Sequence, residues 1–191
     1  MYTFFDTETT GLPKRYNAPP TELDNWPRVV QVAWLTYNEK GKKIASNDCI
    51  IKPDGFKIPE DAYRIHGITT EIAAKKGIPL ARALKAFSAE IKKTKLLVAH
   101  NIKFDLPILK AEYLRTGIPD ALFSANKLCT MESSVNYCRI PRPNGGYKWP
   151  RLSELYAKLF KRELKGSHDA LVDAKACAEC FFELKKRGVI G

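Results

Sequence analysis

The chain opens on an apolar and aromatic run, Tyr-Thr-Phe-Phe-Asp-Thr-Glu, which predicts a strand over residues 2–8. Residues 29–37 (Val-Val-Gln-Val-Ala-Trp-Leu-Thr-Tyr) are apolar almost without interruption and predict a largely buried strand. Residues 38–43 turn the chain, and residues 44–52 complete an antiparallel meander. Pro59 opens a short helix ending near His66-Gly67, and Thr69-Thr70-Glu71 starts another. Over residues 79–93, Leu80, Leu84, Phe87 and Ile91 fall on one helical face. Residues 95–99 predict a short buried strand, 102–115 a helix running to Gly117, and 121–130 a fifth strand. Met131 to Cys138 predicts a helix. Helices follow at about 151–161 and 169–187, with Gly188 placed to cap the last one. Three strands, then helices alternating with two more strands, predict an α/β mixed sheet covered by helices. A length of 191 residues predicts a single domain, 1–191.

Two stretches break this periodicity. Residues 11–28 hold Gly11, Pro13, Pro19, Pro20 and Pro27, too many for a helix or a central strand. A loop of this length in a compact domain is usually functional or mobile. Residues 139–151 carry Arg142, Tyr147, Lys148, Trp149 and Arg151 among glycines and prolines. Basic residues interleaved with aromatics suit a single-stranded nucleic-acid tail, and a loop whose aromatics seal the core reads the same segment equally well.

Composition narrows the partners. Lys plus Arg is 32 against 21 for Asp plus Glu, a formal charge of +11. A domain this basic often meets a polyanion, nucleic acid or an anionic membrane surface, although a solvated surface also accounts for it. No stretch approaches the roughly 18 apolar residues that span a bilayer, and the N-terminus shows no secretory signal. The five cysteines are sparse. Cys177 and Cys180 form a CxxC inside an Ala-rich helical segment with no second pair nearby, which favours helix packing over zinc. A reducing cytoplasm is the expected compartment.

The candidate chemistry starts at Asp6-Thr7-Glu8. Side chains alternate along a strand, so Asp6 and Glu8 share a face with Cα atoms roughly 6.6 Å apart. Two acids on one buried face repel each other, and an oxygen-ligated Mg²⁺ or Mn²⁺ removes that cost. A solvent-facing acid pair at a strand end is the plainer reading of these two residues alone. At the strand-to-helix junction His100-Asn101, Asn101 is placed as a helix N-cap and Asp105 in the first turn, where the helix dipole favours a carboxylate. In Ser167-His168-Asp169-Ala170-Leu171-Val172-Asp173, capping explains Asp169 but not Asp173. The neighbouring alanines let that helix press close to the sheet, and His168 precedes it.

Taken together, Asp6, Glu8, Asp105, His168 and Asp173 resemble the DEDDh family of 3′→5′ exonucleases in order, context and spacing. That family includes proofreading subunits of bacterial DNA polymerases, ribonuclease T and oligoribonuclease. The strings that carry the resemblance are Phe4 with Asp6-Thr7-Glu8-Thr9-Thr10-Gly11-Leu12, His66-Gly67-Ile68, His100-Asn101 with Asp105, and His168-x-Ala170-x-x-Asp173. The helix start Leu152-Ser153-Glu154-Leu155 matches as well, and the resemblance covers nearly the whole chain.

The resemblance implies a ribonuclease-H-like fold with a five-stranded sheet in the order 3-2-1-4-5, strand 2 antiparallel. It implies two divalent ions, Mg²⁺ or Mn²⁺. Asp6, Glu8 and Asp173 would hold the first, and Asp6 with Asp105 the second. His168 would be the general base. Thr9, Thr10, Gly11 and Leu12 would grip the 3′-terminal nucleotide, with His66 and Asn101 as further substrate-binding residues. For His66 and His100 a structural hydrogen bond competes with substrate contact, and for Phe104 core packing competes with base stacking. The expected partner is nucleic acid, DNA ahead of RNA, with no membrane. The competing readings are an exoribonuclease, a proofreading module docked on a polymerase, and a catalytically dead binding module. The end at Gly191, with no tail to tether a partner, weighs against the docked reading. Residues 13–28 depart from the shorter family members and are expected to form a lid over the site.

Overall fold

A five-stranded sheet in the order β3-β2-β1-β4-β5 organises the molecule, with β1 (Tyr2–Thr9) at its centre. The computed structural model describes residues 1–122 and 124–191. Strand β2 (Val29–Tyr37) runs antiparallel to both β1 and β3 (Lys43–Ile50), while β4 (Leu96–Ala99) and β5 (Asn126–Cys129) continue parallel to β1. This is the order and direction that the resemblance implies.

Helices α1 (Glu60–His66), α2 (Thr70–Lys76) and α3 (Leu80–Ile91) connect β3 to β4, and α4 (Ile102–Thr116) connects β4 to β5. After β5 come α5 (Thr130–Ser133), α6 (Val135–Cys138), α7 (Leu152–Phe160) and α8 (Ala170–Lys186). No helix among the described residues is long and apolar enough to cross a membrane.

The fifth strand is shorter than the expected 121–130. Its partner β4 offers only Leu96–Ala99, so the ladder pairs four residues and stops. Ala121 and Leu122 are buried without joining the sheet, and Phe123 lies outside the described residues.

Alternation along β1 divides the core. Phe5 points to one face, where it meets Trp34 of β2, Phe87 of α3 and Leu109 of α4. Tyr2 and Phe4 point to the other face and pack edge-on against Phe181 of α8, with ring centroids 5.4 and 5.2 Å away. Each buried aromatic contributes roughly 2 kcal/mol of transfer free energy. The side of α8 that meets β1 and β2 is a stripe of Ala170, Ala174, Cys177, Phe181 and Leu184, all buried. Small residues at its N-terminal end let the helix close on the sheet there, the end that carries Asp173. Cys177 and Cys180 are free thiols buried in this layer, and burial pushes both thiols up, so they stay protonated packing groups.

The Pro-rich segment is an ordered bracket. Trp26 is buried and donates Nε1–H to the carbonyl of Pro19. Arg115 of α4 donates to the carbonyls of Leu23 and Trp26, and Arg28 pairs with the buried Glu112 at 2.9 Å. Arg28 closes the neck of the loop on Thr10, with backbone and hydroxyl bonds of 2.9 Å each.

Candidate active site

The carboxyl ends of β1 and β4 open onto a cavity of about 290 Å³. It is lined by Asp6, Thr7, Glu8, His100, Asn101, Phe104, Asp105, Leu152, His168 and Asp173. All five residues expected to act in catalysis therefore meet in one place, brought there by β1, the first turn of α4 and the start of α8. The ends of parallel strands flanked by helices are where open α/β sheets usually place a site.

Asp6 and Glu8 project from the α8 face of β1. Asp105 reaches the same cavity from α4, on the opposite face, with its side chain buried and its Oδ1 accepting the Thr7 hydroxyl at 2.6 Å. Glu8, His168 and Asp173 bring one ligand atom each within 4.8 Å of one another. Asp6 lines the same cavity.

His168 is exposed and its backbone sits in the left-handed region at φ 70°. Its N–H donates to Asp173 Oδ2 at 2.8 Å, so the loop carrying the imidazole is tied to the helix that follows. Asp169 caps α8, accepting from the N–H groups of Leu171 and Val172. Asp173 Oδ1 is buried and has no hydrogen-bond partner.

Burial and mutual repulsion dominate the electrostatics. Glu8 is pushed up to about 8, first by burial and then by Asp173 and Asp105. Asp105 rises to about 7 through burial, against the lowering effect of the Thr7 hydroxyl. Asp6 is driven well above the usual carboxylate range by burial and by Asp105, Asp173 and Glu8. Asp173 is raised by burial, and the His168 N–H partly offsets this. None of the ion pairs among the described residues involves these four acids. Clustered acids without a cation, one of them with an orphaned oxygen, fit an oxygen-ligated divalent ion. Asp6, Glu8, Asp105 and Asp173 are the acids available to hold it.

The other expected site residues fare differently. Asn101 lines the cavity and holds the N-cap position of α4, but its backbone is left-handed at φ 74° and its side chain makes no cap bond. The cap-by-side-chain reading fails there because a residue turned into that region no longer points its amide at the first turn. Thr9, Thr10, Gly11, Leu12 and His66 lie outside the cavity lining. The Thr9 hydroxyl is committed to the Gly11 carbonyl at 2.7 Å and the Thr10 hydroxyl to the Arg28 N–H at 2.9 Å. Leu12 is 72% exposed and free to meet a base, and Gly11 adopts φ 141° with nothing within 4 Å of an added Cβ.

His66 accepts the Ile68 N–H at Nδ1, its Nε2 is buried without a partner, and burial lowers its pKa. His100 is bonded at both nitrogens, to Thr130 Oγ1 and to the Pro150 carbonyl, each at 3.0 Å. Phe104 packs against the core and also lines the cavity. No residue of 13–28 lines the cavity. The expected lid is instead clamped to α4, because its own carbonyls are taken up by Arg115.

Thr7 and Leu152 stand in the matching strings without a role assigned to them, and Gln31, which also touches this arrangement, lies outside every string. Gln31 had a visible signal, an amide within the apolar run of β2.

A ribonuclease-H-like sheet whose strand ends gather five such side chains defines a phosphodiester-cleaving nuclease of the DEDDh class. The match to known proteins makes this specific. The Exonuclease family model, RNase T type, matches residues 3–181, and the chain belongs to that family. It is 32% identical over 180 residues to the DNA polymerase III subunit epsilon of Treponema pallidum, covering 94% of this chain and 74% of that protein. It is 33% identical over 181 residues to the PolC-type DNA polymerase III of Streptococcus sanguinis, where it spans 11% of the relative's length. In structure it resembles Escherichia coli Exonuclease I in complex with a dA16 oligonucleotide. The TM-score is 0.77 at 21% identity, over 97% of this chain and 41% of that one, a likeness of fold.

Proposed function

We propose that this exonuclease removes nucleotides one at a time from the 3′ end of DNA, preferring single-stranded or mispaired ends, by hydrolysis assisted by Mg²⁺ or Mn²⁺. The observation that carries this reading is the convergence of four acids with no cation partner beside one exposed imidazole. Relatives named as polymerase subunits and an exonuclease seen with a DNA oligonucleotide favour DNA as the substrate, with a polymerase as the candidate partner.

When bound, the divalent ions supply positive charge against the scissile phosphate and the departing oxygen. Asp6, Glu8 and Asp173 would hold one ion, and Asp6 with Asp105 the other. His168, exposed and lining the cavity, accepts the proton of the attacking water as general base. The water oxygen bonds to phosphorus, the P–O3′ bond breaks, and a nucleoside 5′-monophosphate leaves a chain one unit shorter with a free 3′-hydroxyl. Leu12 is placed to wedge against the terminal base.

The incoming strand is read onto residues 139–151. Pro141 pairs with Tyr147 in a short hairpin, and His100 anchors the Pro150 carbonyl next to the cavity-lining Leu152. Trp149 is 55% exposed between these fixed points, with Arg142 and Arg151 exposed nearby. An exposed aromatic among cations suits stacking of unpaired bases.

The test uses 5′-labelled single-stranded DNA, recessed and mismatched duplexes, and RNA, with Mg²⁺, Mn²⁺ or EDTA. A ladder shortening from the 3′ end is expected, fastest on unpaired DNA, and lost in EDTA and in Asp6→Ala. Absence of the ladder on every substrate defeats the proposal, and faster loss of RNA transfers it to an exoribonuclease.

A further inference from the structure

Gln31 sits inside the apolar run of β2, only 3% exposed, and pairs in register with Glu8 on β1. Its Nε2 donates to Asp48 Oδ1 on β3 at 2.8 Å, and its Oε1 accepts the N–H of Ala170 at 3.2 Å. Ala170 is the first residue of α8, and its N–H is one of those a helix cannot satisfy internally. The next N–H groups are taken locally: those of Leu171 and Val172 by the Asp169 side chain, that of Asp173 by the Asp169 carbonyl. Among the hydrogen bonds of this first turn, the one from Ala170 alone reaches the sheet.

A buried amide can present either end to a neighbour. An ionised carboxylate only accepts, so Asp48 selects the rotamer with Nε2 outward and Oε1 facing Ala170. We propose that Gln31, oriented by Asp48, is a positioning residue that sets how closely the start of α8 approaches β1. It thereby sets the separation of His168 and Asp173 from Glu8. Asp48 is exposed on the outer strand, so the relay runs from the sheet edge to the cavity through one side chain. The inference rests on reading this cavity as the metal-dependent catalytic site.

The test compares Gln31→Met, Gln31→Glu and Gln31→Glu combined with Asp48→Asn. Each is followed by Mn²⁺ binding (free ion by paramagnetic resonance), by kcat and KM on a single-stranded oligonucleotide, and by Tm. Methionine fills the space without an acceptor. About a tenfold weaker Mn²⁺ affinity and about a tenfold lower kcat are expected, in the range of lost outer-shell partners, with KM within about twofold. Gln31→Glu keeps the acceptor but faces Asp48 with a like charge. Asp48→Asn restores a donor, so the double variant is expected to recover both quantities over Gln31→Glu alone. Should Gln31→Met fail to fold, that recovery decides the matter. A folded Gln31→Met with wild-type Mn²⁺ affinity and kcat overturns the inference, as does a double variant no better than Gln31→Glu. A wild type that neither binds Mn²⁺ nor shortens the oligonucleotide defeats the reading of the site itself and this inference with it.

Discussion

Thr7 donates its hydroxyl to Asp105 Oδ1 at 2.6 Å, tying α4 to the strand residue between Asp6 and Glu8. Alternation puts Thr7 on the α4 side of β1 and the two acids on the α8 side. The bond therefore holds the α4 carboxylate in line with a cavity that it approaches from behind. Thr7→Val keeps shape and burial and removes only the donor. Hydrogen bonds to charged groups contribute about 1.5–3 kcal/mol, so kcat/KM on a single-stranded oligonucleotide should fall about tenfold or more. Thr7→Ser should retain most of the activity. Equal rates for wild type and Thr7→Val would show that Asp105 is oriented by the backbone alone.

The second prediction separates stability from function at Asp6. Burial and four neighbouring carboxylates oppose its charge, and no basic side chain is paired with it among the described residues. Asp6→Asn removes one of the repelling charges. In EDTA at neutral pH the variant should melt higher than the wild type by about 2–4 °C, the change expected from about 1 kcal/mol in a chain of this size. Adding Mn²⁺ should raise the wild-type Tm, since a ligand that binds only the folded state stabilises it, and should leave the variant nearly unmoved. Differential scanning fluorimetry with and without the ion reads both effects, and exonuclease activity should be lost. A variant that melts lower in EDTA would mean the acids are not in mutual repulsion.

The third prediction concerns the Pro-rich bracket. Glu112 is fully buried, faces Arg28 and Arg115, and accepts the N–H of Val29 at the start of β2. Removing one partner of such a network strands the others, which costs about 3–5 kcal/mol. Glu112→Ala should lose about 3 kcal/mol by urea denaturation, and trypsin should cut sooner after Lys14 or Arg15. Glu112→Gln, which keeps an acceptor, should fall between. Deleting residues 13–28 removes the buried Trp26 and should destabilise the domain, in contrast with a lid that could be cut away freely. Wild-type denaturation midpoints for Glu112→Ala would refute the bracket.

Much of this could be read from residue order because the signals are local. The apolar runs at 2–8 and 29–37 mark strands wherever they are packed, and HxAxxD places Asp173 one turn into a helix. The parts that escaped are set by distant partners. The length of β5 is decided by the four residues of β4 across from it. The fate of residues 13–28 is decided by Arg115 and Glu112, far along the chain, whose side chains gave no hint that they were bound to loop carbonyls. That the Thr9 and Thr10 hydroxyls bond to the Gly11 carbonyl and the Arg28 N–H is visible only once the chain has folded back on itself. Gln31 broke an apolar pattern, but its partners on β3 and α8 emerge only when three elements are assembled.

His100 gives a prediction with a defined sign in pH. The Pro150 carbonyl can only accept, so His100 Nε2 carries the proton of that bond, and Nδ1 lies 3.0 Å from the Thr130 hydroxyl, which donates to it when the ring is neutral. Burial lowers its pKa to about 4, against the pull of the Pro150 carbonyl, while the unfolded chain titrates near 6.5. Between those values the unfolded state holds a proton that the folded state has released, so this contribution to stability is present above about 6.5 and is lost as pH falls toward 4. At about 1.36 kcal/mol per pKa unit the loss is at most about 3 kcal/mol. His100→Gln should lower stability at pH 7 by breaking the anchor to Pro150. The gap between wild type and variant should then narrow as the pH is taken from 7 to 4.5, followed by urea denaturation at each value. A gap that stays constant over this range would show that the ring takes up its proton at the same pH in the folded and unfolded chain, and the single-tautomer anchor would fall with it.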